Sequence, residues 1–333
     1  MPIRTVAPVK CALDEIGSCA VKQRMPSPLQ DVPDAGTPSP LRGALLCVAA
    51  AFLFACMDAT VKYLSANHQV PIIVAVRYLV NCLLMIILVA PLHGRRLVNV
   101  HRRGLVLVRA CSLAASSLLV GLALQRMPVA ETTAINFLAP MLVVVVAGPL
   151  LGERIGATGW LAALGGFAGV LLIARPGSGL EAIGISFALA AVAANVAYQV
   201  LSRVLAASER TTALLFYTAL AGTVIFGAIG LWLWEGRVAS GWELLLFLSL
   251  GIYGGLGHFL FTAAYRHTPA SVLAPLSYVQ LLWAGMLGWV IFGHIPDATS
   301  LLGMGIIACS GLAIAILSRR SSTGPETPAP RIR

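Results

Sequence analysis

Charge is what this sequence has least of. Asp, Glu, Lys and Arg make up 11% of its 333 residues, hydrophobic residues make up 58%, and the mean hydropathy is +0.87. A water-soluble domain carries about 25% charged residues. A chain this long would otherwise suggest two soluble domains, but it has too little polar surface to cover them. Polar connectors are scarce too: most are under ten residues. They leave no room for a nucleotide-binding domain, so any pumping would have to draw on a gradient. The patterns H-E-x-x-H, G-x-S-x-G, the phosphate-binding P-loop and C-x-x-C are all missing. Their absence disfavours an intramembrane enzyme and gives no reason to expect a cofactor or a metal. The seven cysteines are Cys11, Cys19, Cys47, Cys56, Cys82, Cys111 and Cys309. None forms a C-x-x-C pair, and they read as small apolar residues rather than as disulfides or ligands.

What fills the chain is ten apolar runs, at 43–65, 70–92, 104–125, 130–151, 155–175, 181–203, 211–234, 242–265, 270–293 and 297–318. A hydrocarbon core of about 30 Å takes roughly 20 helical residues to cross, and each run meets or nearly meets that length. Barrel strands would be shorter and alternating. A helix also satisfies its own backbone hydrogen bonds in lipid. The expected fold class is therefore an all-α membrane protein of ten transmembrane helices.

The formal charge of +10 is distributed by topology. With the N-terminus in the cytoplasm, 17 cations fall on inside segments, Arg95, Arg96, Arg102, Arg103 and Arg210 among them, and 4 on outside segments (Lys62, Arg126, Arg175 and Arg237). This bias follows the positive-inside rule. It places both termini inside, argues against a nucleic-acid partner, and makes the lipid bilayer the surrounding medium. Residues 1–40 lack the apolar core run and cleavage site of a signal peptide. Their prolines predict a disordered cytoplasmic tail, within which Met25 offers a second start. Residues 319–333 form a short basic tail.

The two halves resemble each other. A shift of 141 residues carries Pro128 onto Pro269, Gly152 onto Gly293, Ala157 onto Ala298, Thr158 onto Thr299 and Phe137 onto Tyr278. Five runs per half is an odd number, so the second half (181–318) is upside down relative to the first (41–175). Inverted repeats of this kind are a hallmark of secondary transporters, whose substrate site lies near the midplane between the repeats.

Ionisable groups at bilayer depth cost roughly 2.5–3.5 kcal/mol on insertion scales unless they are paired or face water. Asp58 and Arg77 lie at matched depth in a hairpin of runs 1 and 2, which predicts an ion pair, with Lys62 as a competing partner one turn from Asp58. Such a pair is either a helix staple or a substrate or ion site. Arg109, one turn into run 3, is expected to snorkel to the headgroups. Run 4 opens with Glu131, Thr132 and Thr133 and continues to Asn136 and Pro140, where the proline frees a carbonyl. Polar groups recur as Asn81 in run 2, Asn195, Tyr198 and Gln199 in run 6, and His258 in run 8. Run 9 carries Ser277, Gln280 and Trp283 at i, i+3 and i+6, beside Tyr278. Any one amide can serve only to bond neighbouring helices. Together, Arg77, Asn81, Asn136, Asn195, Gln199, His258, Tyr278, Gln280 and Trp283 are the expected lining of one substrate cavity. Asp58, Lys62, Arg77 and His258 are the candidates for ion pairing or for carrying a coupling proton. Glycines at 159, 165, 166, 169, 303, 305 and 311 read as packing faces.

At this point a resemblance emerges. The stretches MPVAETTAINFLAPMLVVVVAGPLLGERIGATGWLAALGGFAGVLLI and TPASVLAPLSYVQLLWAGMLGWVIFGHIPDATSLLGMGIIACSGL each resemble the end of an EamA domain of the drug/metabolite transporter superfamily. The resemblance spans about 41–318. It implies ten helices in two inverted five-helix repeats around a central cavity, with cytoplasmic termini. Arg77 matches the basic residue common in the second helix, Lys62 the one ending the first, and Glu153 the acidic residue closing the fourth. His294 stands where the second repeat would carry the counterpart of Glu153, and Gln280-Leu281 replace a proline often found in the ninth helix. The resemblance implies transport of a small organic molecule: an amino acid, a vitamin, a nucleotide-like compound or a drug. The resulting expectation is alternating-access transport across a bacterial inner membrane, with a proton or other ion as the coupling partner and a homodimer as one state of assembly. A non-transporting membrane scaffold is the alternative from another class.

Overall fold

The computed structural model describes residues 40–151, 157–175, 179–206, 208–234, 236, 239–268, 273 and 276–322, and regular structure among them is entirely helical. The two tails, apart from Pro40 and 319–322, and Glu153 lie outside the described residues. The first repeat contains α1 (Pro40–Leu64), α2 (Val70–Leu84), α3 (Arg103–Arg126), α4 (Val129–Asn136), α5 (Leu138–Leu151) and α6 (Ala157–Ile173). The second contains α7 (Ala182–Ala206), α8 (Thr211–Trp232), α9 (Gly241–His267), α10 (Val279–Phe292) and α11 (Ala298–Ser322). Six stretches are long and apolar enough to cross a membrane, and four shorter apolar ones lie at Val129–Val143, Ala163–Ile173, Val279–Phe292 and Ala298–Ala313. The chain is a multi-pass membrane protein.

Local chemistry sets the helix ends. Pro71 begins α2, where its missing N–H costs nothing. Ser240 and Glu243 close a reciprocal capping box at the start of α9. Beyond Leu84 the helix passes through a π-helical turn, Met85–Val89, just before Pro91, which cannot donate to the ladder. α10 ends at Gly293, which is left-handed with φ 67°, and the next N–H, from His294, returns to the Gly288 carbonyl at 3.2 Å. This Schellman closure suits glycine, which has no Cβ to strain there.

Packing is two-fold. α3 lies along α7, α9 along α1, α8 along α2, and α11 along α6. The 141-residue shift takes α1 to α7, α2 to α8, α3 to α9 and α6 to α11, so the α3–α7 pair maps onto α9–α1 and the other two pairs map onto themselves. Between α6 and α11 the backbones come close: a Cβ at Gly303 would stand 2.6 Å from the Gly169 carbonyl oxygen. The largest buried cluster joins the repeats, with Ile135, Leu138, Met141 and Ile173 from the first and Val192, Leu281 and Ile307 from the second.

Sequential hairpins are not the packing unit. α1 and α2 scarcely touch; α1 packs on α9 and α10, and α2 on α8 and α9. α9 of the second repeat therefore stands between the first two helices of the first.

Candidate functional site

The site is organised by two helix breaks. Pro140 has no N–H to offer the Asn136 carbonyl. α4 ends at that residue, Phe137 forms a turn, and α5 starts again at Leu138. In the second repeat Tyr278 forms a turn with φ −65° and ψ −14°, close to the −69° and −4° of Phe137. These two residues, equivalent under the 141-residue shift, pack ring against ring at 4.7 Å between centroids. The pseudo-two-fold axis thus passes close to this contact. The Tyr278 hydroxyl end lies against Gly311.

The expected Asp58–Arg77 ion pair is not formed, because α9 separates the helices that carry the two residues. Arg77 donates from Nη2 to the Ser117 hydroxyl at 2.6 Å, approaches the Met57 sulfur at 3.7 Å from Nη1, and lies over the Tyr78 ring at 4.9 Å. Tyr78 also shares a hydrogen bond with Ser117 at 2.9 Å. Asp58 accepts from the Gln280 amide at 3.5 Å, a link between the repeats. Asp58 and His258 are enclosed at depth, yet both keep accessible surface. The charges of Arg77 and Arg109 both reach the His258 ring.

The other expected residues divide. Trp283 packs edge-on against Phe52 at 5.1 Å, and its indole N–H is buried without an acceptor. His258 packs edge-on against Phe54 at 5.0 Å. Asn81 faces Gly255 of α9, whose Cβ would come within 3.3 Å of its side-chain oxygen. Asn136 donates to the Thr132 carbonyl at 3.0 Å, one turn back, and its buried amide oxygen has no partner. Asn195 and Gln199 bond one another along α7 at 3.4 Å. So α1, α2, α9 and α10 bring Asp58, Arg77, Asn81, His258 and Gln280 towards one region, whereas Asn195 and Gln199 form a local pair on α7.

Arg109 does not snorkel. It is 4% exposed and meets four neutral acceptors: Ser202 at 2.7 Å, Tyr198 at 3.0 Å, Thr218 at 3.0 Å and the Leu214 carbonyl at 3.2 Å. Its guanidinium also stacks on the Tyr198 ring at 4.5 Å. Lys62 is not a partner of Asp58. Its ammonium caps the end of α3, donating to the carbonyls of Leu124 (2.9 Å) and Met127 (2.7 Å), and lies over the Phe292 ring at 5.6 Å. A cation at a helix C-terminus is stabilised by the dipole and the free carbonyls.

Sequence reasoning singled out Glu131 and His294 separately but not together. Glu131 is 2% exposed; its Oε1 meets His294 Nε2 at 2.9 Å and its Oε2 is buried without a partner. On the same face His68 Nε2 stands 3.1 Å from Glu243 Oε1. That face also carries Arg126–Glu181 at 2.9 Å and Arg175–Asp297 at 2.5 Å. The hydrogen bond from Arg175, helped by the Ser300 N–H, holds the Asp297 carboxyl down to about 2. On the opposite face the buried Glu209 accepts from the backbone N–H groups of His101 (3.0 Å) and Arg102 (2.8 Å). The signal for these contacts was faint: polar residues at span ends read as solvated unless their partners are known.

Comparison with known proteins agrees with this architecture. Residues 41–175 and 182–316 each match the EamA-like transporter family. The Pseudopaline exporter CntI of Pseudomonas aeruginosa (strain UCBPP-PA14) is 29% identical over 284 residues, covering 81% of this chain and 95% of that protein. A Riboflavin transporter of Rhizobium johnstonii is 29% identical over 64% of this chain and 69% of its own length. An S-adenosylmethionine uptake transporter of Rickettsia felis is 26% identical over 58% of this chain and 65% of its own. A solved crystal structure superposes with a TM-score of 0.60 over 84% of this chain and 99% of its own, at 20% identity, and so shares the fold.

Proposed function

This chain belongs to the EamA-like transporter family of the drug/metabolite transporter superfamily, and from that premise we propose that it is a secondary transporter of a small organic metabolite. It works by alternating access in a bacterial inner membrane. Ten membrane-crossing helices are the natural count: six long ones and four shorter apolar ones, the latter falling in the last two spans of each repeat. The cation bias supports a cytoplasmic 93–103 loop and cytoplasmic termini. The 65–69 turn and the Glu131–His294 contact then face outward. The relatives named for pseudopaline, riboflavin and S-adenosylmethionine support a polar organic substrate.

The observation that carries this reading is the ring contact of Phe137 with Tyr278, where two helix breaks from opposite repeats meet two residues from Gln280, the partner of Asp58. Broken helices near a pseudo-two-fold axis are where inverted-repeat transporters hold substrate. Arg77, Asn81, His258 and Gln280 would supply fixed polar contacts, and Trp283, Tyr278 and Phe137 an aromatic wall, as in small-molecule pockets generally. Asn136, Asn195 and Gln199 complete the proposed lining. The coupling ion enters through Asp58 or His258. Purified protein in liposomes loaded with a bacterial metabolite extract is the test. A defined subset of compounds should cross the membrane faster than in protein-free liposomes. A scaffold would move none.

A further inference from the structure

Two histidine–glutamate contacts sit on the outward face, and both cross from one repeat to the other. His68, in the turn after α1, meets Glu243 at the start of α9. Glu131, at the start of α4, meets His294, which follows α10. The inward face is fastened differently. Glu209 occupies the position equivalent to His68 under the 141-residue shift, and Arg102 the position equivalent to Glu243. There the carboxylate takes backbone N–H groups, which do not titrate, although the His101 ring lies 3.8 Å away. Equivalent joints at the two faces thus differ in chemistry: imidazole on carboxylate outside, carboxylate on main chain inside.

We propose that His68 and His294 are proton-binding sites that lock the outward face shut. This rests on the transporter reading and adds what drives one half of its cycle. A proton taken from the outer water goes to each imidazole, which then faces its glutamate as a cation, and the repeats are drawn together outside. Loss of that proton leaves a neutral ring and a weaker contact. Histidine is the residue type whose charge changes between pH 5 and 8. A histidine that gains a carboxylate partner on closure favours the closed form at low pH, and this preference fades as pH rises. The His294 side chain is 38% exposed. The His68 side chain is buried at 7% exposure with its Nε2 covered, and a pocket of about 360 Å³, bordered by His68, Ile72, Trp234 and Phe247, reaches the edge of that site. Glu131 is 3% exposed at its side chain with one oxygen unpartnered, so it has capacity for a charged donor.

Neighbouring charges do not take over the role. Lys62, whose charge reaches Glu131, is held instead by the carbonyls of Leu124 and Met127. Arg126–Glu181 and Arg175–Asp297 satisfy each other, and Asp297, held at about 2, is ionised throughout. The His68 ring packs edge-on against the Phe247 ring at 5.1 Å.

The experiment is electron–electron distance measurement in lipid nanodiscs. Spin labels go on p-acetylphenylalanine introduced at Ala66 and Ala298, both exposed and on opposite repeats, which leaves the native cysteines untouched. From pH 8 to pH 5.5 the ratio of short to long distances should rise by roughly twofold to thirtyfold, the range for two partly exposed ion pairs. His68→Gln with His294→Gln should flatten the response, as should Glu131→Gln with Glu243→Gln. His101→Gln on the other face should leave it intact. A wild-type distribution that ignores pH, or a pH response that survives in both double variants, overturns the proposal. No substrate is needed, so failure here is distinct from absence of flux in liposomes.

Discussion

Single side chains decide how charge is tolerated inside this protein. Arg109 binds α3 to α7 and α8 through four neutral acceptors. Polar contacts between membrane helices average about 0.6 kcal/mol each, so Arg109→Leu should cost about 2 kcal/mol. That loss would appear as a lower melting temperature of the detergent-solubilised protein, and an unchanged melting curve would refute the role. Arg77 and Asp58 do not touch, although the Arg77 charge reaches the Asp58 carboxylate. A double-mutant cycle on substrate transport with Asp58→Asn and Arg77→Ala should show weaker coupling than one with Arg77→Ala and Ser117→Ala, whose side chains touch at 2.6 Å. Which residues are polar at depth was legible in the sequence. Their partners were not, since Ser117, Ser202 and Gln280 lie 40, 93 and 222 residues from the groups they contact. Snorkelling was a fair expectation for an arginine one turn from the membrane edge. It failed because two helices, α7 and α8, supply acceptors that no local pattern shows.

At the scale of elements, helix ends were legible wherever proline, glycine or a cap sets them. α3, read as 104–125, runs from Arg103 to Arg126, and α8, read as 211–234, runs from Thr211 to Trp232. The break at Phe137 followed from Pro140. The hairpin of α1 and α2 did not form as a packed unit, because hydrophobic runs in lipid carry no record of which neighbour they will meet. Close packing gives one sharp expectation. Gly303→Ala would place a methyl carbon 2.6 Å from the Gly169 carbonyl oxygen. Backbone cannot yield as a flexible side chain does, so α6 and α11 must part at about 1–3 kcal/mol. Thermal stability should fall in that variant, while Gly305→Ala, with open space around it, should hold or raise it.

Over the whole molecule, the inverted repeat was the most legible feature, since a 141-residue shift aligns helix with helix and Phe137 with Tyr278. Orientation is predicted from charge alone: a cysteine placed at Asn99 should react with an impermeant reagent only after the cells are opened, and labelling of intact cells would reverse the topology. The central claim is that side chains from both repeats hold and move a metabolite. Untargeted metabolite profiling of cells expressing the wild-type chain, against cells with equal amounts of Arg77→Ala or of Gln280→Ala, tests it most directly. The account predicts that one compound or a few related ones differ in their distribution between cells and medium with the wild type, and that each variant, one from each repeat, loses most of that difference. Identical profiles for wild type and both variants would contradict it.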